Sequence, residues 1–196
     1  MTKSLNGLVL SGGKSTRMGK DKGLINYHGK PQRKYLEELL KPFCNQVFVS
    51  GAKDSKLSES NIPDHFEIDS PLNGVLSAFQ FDPFIAWLTV PIDMPNIDLK
   101  AIEYLIKNRD ELKTATCFLD SDGQNPEPLF TIWEAKAKPM LFDFFNSGNT
   151  SPRKFLLEND VHLVKVPSAS TLINVNTEEE LKAYLKQSRK TLQGGR

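Results

Sequence analysis

Residues 8–22 read LVLSGGKSTRMGKDK. Leu8, Val9 and Leu10 form a short apolar run of the kind that makes a buried strand. The run stops at Ser11-Gly12-Gly13, where the chain must turn and can approach a ligand closely. Lys14, Arg17, Lys20 and Lys22 then place four cations within nine residues. Bare backbone N–H groups at a glycine turn, followed by cations, suit the binding of a polyphosphate. A solvated basic turn is the plainer alternative. The order of strand, glycines, staggered cations and renewed apolar residues favours the phosphate loop.

Two familiar phosphate loops do not fit. A Walker A loop needs a glycine where Leu8 stands, and Gly7 is one place too early. The dinucleotide pattern fails because Gly12, Gly13 and Gly19 are spaced wrongly for it. This is a third kind of loop.

Downstream, strands and helices alternate. A helix is expected over 32–41, where Tyr35, Leu36, Leu39, Leu40 and Phe43 recur at helical spacing after Pro31. Strands are expected over 47–49, 66–69, 85–90, 114–119 and 128–133, with residues 52–63 a loop and 120–123 a turn. Helices are expected over 74–81 and 99–108. The last third reads as helices 136–147 and 152–158, a strand 161–166 and a helix from 178 to about 187. Thr177 and Glu180 form a capping box in front of that last helix. The polar residues 188–196 read as a flexible tail behind a single domain, 1–187.

This alternation predicts an α/β fold, a single-domain Rossmann-like three-layer αβα sandwich with a mostly parallel central sheet. In such sheets ligands bind outside the carboxyl ends of the strands. Ser11, Ser50, Asp69 and Asp93 each follow an apolar run, where that rule puts functional groups. Asp93 stands between Pro91 and Pro95, which stiffen the backbone around it. A fixed carboxylate there suits Mg²⁺ held against substrate phosphates.

Composition removes several classes. The 196 residues are 39% hydrophobic and 25% charged with a net charge of +1, which suits one soluble domain and gives no overall field for nucleic acid. Cys44 and Cys117 have no metal spacing and read as buried thiols. No apolar run approaches the ~20 residues of a membrane span, and the first residues lack a signal-peptide core. A reduced cytoplasmic compartment is expected.

The run from Leu10 to Lys22 resembles the opening motif, L-A-G-G-x-x-x-R-M-G-x-D-K, of nucleotidyltransferases that pass an NMP from an NTP to a phosphorylated acceptor. Ser11 stands for the usual Ala. Arg17-Met18-Gly19-Lys20-Asp21-Lys22 is most similar to the molybdenum cofactor guanylyltransferases, the MobA-like group. Pro91-Ile92-Asp93-Met94-Pro95 matches the family's metal motif with Ile for Cys. The resemblance implies the fold of the nucleotide-diphospho-sugar transferases. It also implies Mg²⁺ on Asp93, and catalytic roles for Arg17, Lys22 and Asp93. It assigns GTP to Leu10, Ser11, Gly12, Gly13, Lys14, Lys22, Ser50, Asp69, Gly74 and Asp93. Asn174 and Asn176 match a late Asn-x-Asn-Thr-x-Glu motif near the metal or acceptor, and alternation would put both on one face. Residues 128–130 resemble a short strand near the acceptor pocket, and Arg153 is a candidate for the acceptor phosphate. Before Gly74 the chain is shorter than the family pattern, with Ser70 in place of a glycine.

The implied reaction transfers GMP from GTP to the phosphate of molybdopterin, by a monomer with transient contacts to cofactor-handling proteins. Cytidylyl transfer to molybdopterin, nucleotidyl transfer to a sugar or polyol phosphate, and a non-catalytic nucleotide-binding module are the alternatives. Neither nucleic acid nor membrane is expected as a partner.

Overall fold

The computed structural model describes residues 5–11, 21–51 and 60–193. The chain runs β1 (Leu5–Leu10), α1 (Gln32–Leu40), β2 (Val47–Gly51), β3 (Asn61–Pro63), α2 (Leu72–Phe81), β4 (Ala86–Pro91) and α3 (Leu99–Lys107). It continues through β5 (Ala115–Leu119), β6 (Pro126–Trp133), α4 (Ala137–Asn146), α5 (Pro152–Glu158), β7 (Val161–Val164) and α6 (Glu178–Gln193). One seven-stranded sheet has the order β3-β2-β1-β4-β6-β5-β7. All pairs are parallel except those made by β6, which is antiparallel to both β4 and β5. The turn over 120–123 is too short for a crossover, so β6 must return antiparallel. Gly123 takes a positive φ of 70° there, a conformation glycine adopts without strain.

Alternation along the central strands builds a core on each face of the sheet. Leu5 and Val9 of β1 join Leu88 and Val90 of β4 beneath Leu36 and Leu40 of α1 and Ile102 and Leu105 of α3. Leu8, Leu10 and Trp87 face the other way, against Leu72, Val75 and Leu76 of α2, Leu141 of α4 and Phe155 of α5. The result is the expected three-layer αβα sandwich. No helix among the described residues is long and apolar enough to cross a membrane. Cys44 and Cys117 are buried and form no disulfide. Burial pushes the Cys117 thiol up to about 12, so it is no nucleophile.

Three expectations are corrected. The third strand is Asn61–Pro63, inside the expected loop, and residues 66–69 form no strand. Phe66 and Ile68 alternate because both side chains pack onto the helical layer, Phe66 against Phe142 and Phe145. The Asn73 amide replaces a neighbouring strand there. Its Oδ1 accepts from Phe66 N–H at 3.0 Å, and its Nδ2 donates to the Phe66 and Ile68 carbonyls. Residues 188–193, expected as tail, continue α6. Finally, the segment carrying Asn174 and Asn176 is not a strand, so alternation does not govern it.

Candidate active site

β1 lies between β2 and β4, so the strand order reverses there and opens a crevice at the carboxyl ends. Leu10 pairs with Ser50 on one side and Pro91 on the other. Ser11 N–H donates to the Ser50 carbonyl at 3.0 Å, and Ile92 N–H donates to the Leu10 carbonyl at 3.1 Å. These bonds carry the ladder past the strand ends and fix the backbone on both sides of the crevice. Leu10, Ser50, Gly74 and Asp93 all line it. A Cβ on Gly74 would lie 2.5 Å from Ser50 Oγ and 2.8 Å from Leu10 Cδ2, so α2 reaches β2 this closely only because glycine stands there.

Asp93 is held from both sides. Its carbonyl accepts from Val175 N–H at 2.8 Å. Its Oδ2 is 3.3 Å from Lys22 Nζ, and its buried Oδ1 has no hydrogen-bond partner among the described residues. Lys22 Nζ also donates to Asn176 Oδ1 at 2.8 Å. Three residues far apart in sequence therefore meet, and among the described residues two of the three Lys22 N–H donors are engaged.

Each of these groups has its own support. Lys22 begins a 3-10 turn, Lys22–Leu24, capped by Asp21, whose Oδ1 accepts from Gly23 N–H at 2.8 Å. Arg33 Nη2 grips both Asp21 oxygens, at 2.9 and 2.8 Å. A Cβ on Gly23 would lie 2.4 Å from that guanidinium nitrogen. Asn176 is set by the capping box of α6. Glu180 Oε2 accepts from the N–H groups of Asn176 and Thr177, and Thr177 Oγ1 accepts from Glu180 N–H at 3.1 Å. Tyr184 of α6 donates to Asn96 Oδ1 at 2.6 Å and meets Tyr27 edge-on at 5.3 Å. Burial pushes the Tyr27 hydroxyl up to about 12, with Tyr184 and Asp93 adding to it.

Other expected residues lie elsewhere. Asn174 is exposed and lines a separate groove with Asn96 and Tyr184. Asp69 is exposed and does not line the crevice. Arg153, near the start of α5, points its guanidinium at Asp120, 3.8 Å away. Gly12, Gly13, Lys14 and Arg17 lie outside the described residues.

Two carboxylates, one lining the crevice and one near it, were not anticipated. Asp64 follows β3 directly and lines the crevice with Ser50 and Gly74. Its buried Oδ1 has no hydrogen-bond partner among the described residues, and burial raises its carboxyl above the usual range. The signal was an acid directly after Asn61-Ile62-Pro63, hidden because that short stretch reads as loop. Glu127, on β6, is buried two residues from the crevice residue Leu129.

A family model described as the MobA-like NTP transferase domain matches residues 7–163. The chain belongs to this family. This MobA-like NTP transferase is 37% identical over 182 residues to a molybdenum cofactor biosynthesis bifunctional protein from Synechocystis, covering 90% of this chain and 52% of that one. It thus spans about half the length of that relative. It is 25% identical over 190 residues to the molybdenum cofactor guanylyltransferase of Shewanella putrefaciens, covering 92% and 95% of the two chains. Its fold is that of molybdopterin-guanine dinucleotide biosynthesis protein A from Archaeoglobus fulgidus, with a TM-score of 0.76 at 22% identity over 94% and 99% of the chains.

Proposed function

We propose that this nucleotidyltransferase transfers GMP from GTP to the terminal phosphate of molybdopterin. An acceptor phosphate oxygen attacks the α-phosphorus, the bond to the bridging oxygen breaks, and pyrophosphate leaves. The product is molybdopterin guanine dinucleotide. The names of the full-length relatives support the substrates.

The observation that carries the reading to guanine is Asp64. A buried carboxylate oxygen without a partner costs stability, and two parallel N–H donors would relieve it. Guanine presents that pair at N1–H and the 2-amino group. Cytosine offers one amino group beside a ring-nitrogen acceptor, which a carboxylate repels. Ser50, one strand inward, adds a hydroxyl beside the nucleoside.

Lys22 gives the phosphates a fixed cation whose position is set by Asn176, Asp93 and the Arg33–Asp21 pair behind it. Arg17 and the backbone at Gly12 and Gly13 are assigned to the remaining phosphate oxygens from the motif. Catalysis here is positioning and charge neutralisation, with no covalent enzyme intermediate.

The donor set fits Mg²⁺. Asp93 Oδ1 is a hard oxygen with no protein partner among the described residues, and this ion takes one or two carboxylates plus substrate phosphates. When bound, Mg²⁺ would be held by Asp93 and would neutralise phosphate charge. We place the protein in the cytoplasm, where its two buried thiols stay reduced.

The test is pyrophosphate release with molybdopterin and each of GTP, CTP, ATP and UTP, with and without Mg²⁺. GTP with Mg²⁺ alone should sustain turnover. Faster release from CTP would overturn the guanylyl assignment, and release without added metal would remove Mg²⁺ from it.

A further inference from the structure

Asp93 sits in a connection with no helix or strand of its own. β4 ends at Pro91 and α3 starts at Leu99, and residues 92–98 between them carry the carboxylate. Met94 and Ile97 anchor this connection in the core. Its polar ties come from far away in the chain. His28 Nε2 donates to the Pro95 carbonyl at 2.8 Å, and the Tyr35 hydroxyl donates to the Ile97 carbonyl at 3.3 Å. From the C-terminal segment, Val175 N–H donates to the Asp93 carbonyl at 2.8 Å.

Asn96 reaches that same C-terminal segment at two points. Its Nδ2 donates to the Ser170 carbonyl at 2.8 Å, and its Oδ1 accepts from the Tyr184 hydroxyl at 2.6 Å. Tyr27, meeting the Tyr184 ring edge-on at 5.3 Å, supports that ring. Asn96, Ser170 and Tyr184 line an open groove where water reaches them, with Ser170 exposed and the other two half-buried. Hydrogen bonds that water can replace add little to stability. What water cannot replace is the geometry they impose.

Lys22 marks the geometry at stake. Its ammonium joins Asp93 Oδ2 to Asn176 Oδ1, so two separate segments must stand in register for that triangle to form. Asn96 is three residues past Asp93, and Asn176 lies between Ser170 and Tyr184 in the chain. The Asn96 amide therefore bridges the same two segments as the Lys22 ammonium.

We propose that Asn96 is a positioning residue: with Tyr184 it locks the Asp93 connection to the Asn176 segment and so fixes Asp93 Oδ1 where the metal needs it. This rests on the reading of Asp93 as the Mg²⁺ ligand. Without the lock the connection keeps its core anchors, but the carboxylate can swing. A ligand that loses its outer support loses metal affinity. Ser50 and Asp64, on the β2–β3 side of the crevice, would still hold the nucleoside.

The test is calorimetric binding of GTP to the full chain, with excess Mn²⁺ and with a chelator. Mn²⁺ should tighten binding to the wild type by about 5–150-fold, and Asp93→Asn should abolish that gain. Asn96→Ala should lose most of the gain while binding metal-free GTP as the wild type does. Tyr184→Phe, which keeps the ring against Tyr27, should lose part of it. Adding Tyr184→Phe to Asn96→Ala should cost nothing more, because both break one lock. A full gain in Asn96→Ala overturns the proposal. So does an equal loss of metal-free GTP binding, which general loosening of the fold would give, and so does a further loss in the double variant. Should Asn96→Ala not fold, an unchanged gain in Tyr184→Phe overturns it equally. No gain in the wild type, or a gain that survives Asp93→Asn, overturns the metal reading and the lock with it. A gain lost in Asp93→Asn but kept in Asn96→Ala leaves the metal reading standing and removes the lock alone.

Discussion

Asp64 and Lys22 are the side chains on which the proposed nucleotide chemistry turns. Asp64 is less acidic folded than its usual 3.8, because burial disfavours its charge. A raised carboxyl pKa means the folded state holds its proton more tightly. Stability attached to that proton is present below 3.8 and is lost as pH rises through the higher folded value. Asp64→Asn should therefore melt at a higher temperature than the wild type at pH 7. The gain should vanish in melts run below the ordinary aspartate range. The same variant should bind GTP about 10- to 100-fold more weakly by calorimetry, the loss expected for charge-assisted hydrogen bonds of about 1.5–3 kcal/mol. Lys22→Met removes the ammonium shared by Asp93 and Asn176. It should lower the rate of pyrophosphate release by about 10²–10³ and weaken GTP binding as well, because the same ammonium is assigned to the phosphates. An unimpaired rate would take Lys22 out of the chemistry.

Elements meet at this site through a few unusually close approaches. α2 crosses the end of β2 where Gly74 faces Ser50 Oγ, with no room for a methyl group. Both contacts are with groups inside the packed core, since Ser50 and Leu10 are buried. Gly74→Ala must push α2 outward. It should cost about 1–3 kcal/mol in denaturant unfolding and weaken nucleotide binding as well, because Gly74 lines the crevice. A variant with wild-type stability would show that the helix yields without strain. The two ends of the chain are joined by α6. Its capping box orders Asn176, and its Tyr184 bonds Asn96, three residues past Asp93. Lys22, from the N-terminal third, closes the triangle.

Across the whole molecule, a buried bidentate pair ties the connection after α3 to the end of β6. Arg109 and Glu134 have side chains only 11% and 7% exposed. Arg109→Met leaves the Glu134 charge buried and unpaired, which should lower stability by about 3–5 kcal/mol. Below the melting temperature its pyrophosphate release should match the wild type, because neither residue touches the crevice. The sandwich was legible in the order of apolar runs and turns, since period-two and period-3.6 patterns report which face each element buries. The positions of Lys22 and Asp93, which the fold brings together, and the capping box before α6 were equally legible, because each rests on local chemistry. Asp64 was not. β3 is three residues long and is a strand only because β2 lies beside it. Phe66 and Ile68 imitated a strand because their alternation follows the surface they cover, while Asn73 bonds their backbone. Local sequence thus determined the layers. Only the tertiary structure decided that Asp64 Oδ1 is left buried without a partner among the described residues, because burial and pairing depend on neighbours far away in the chain.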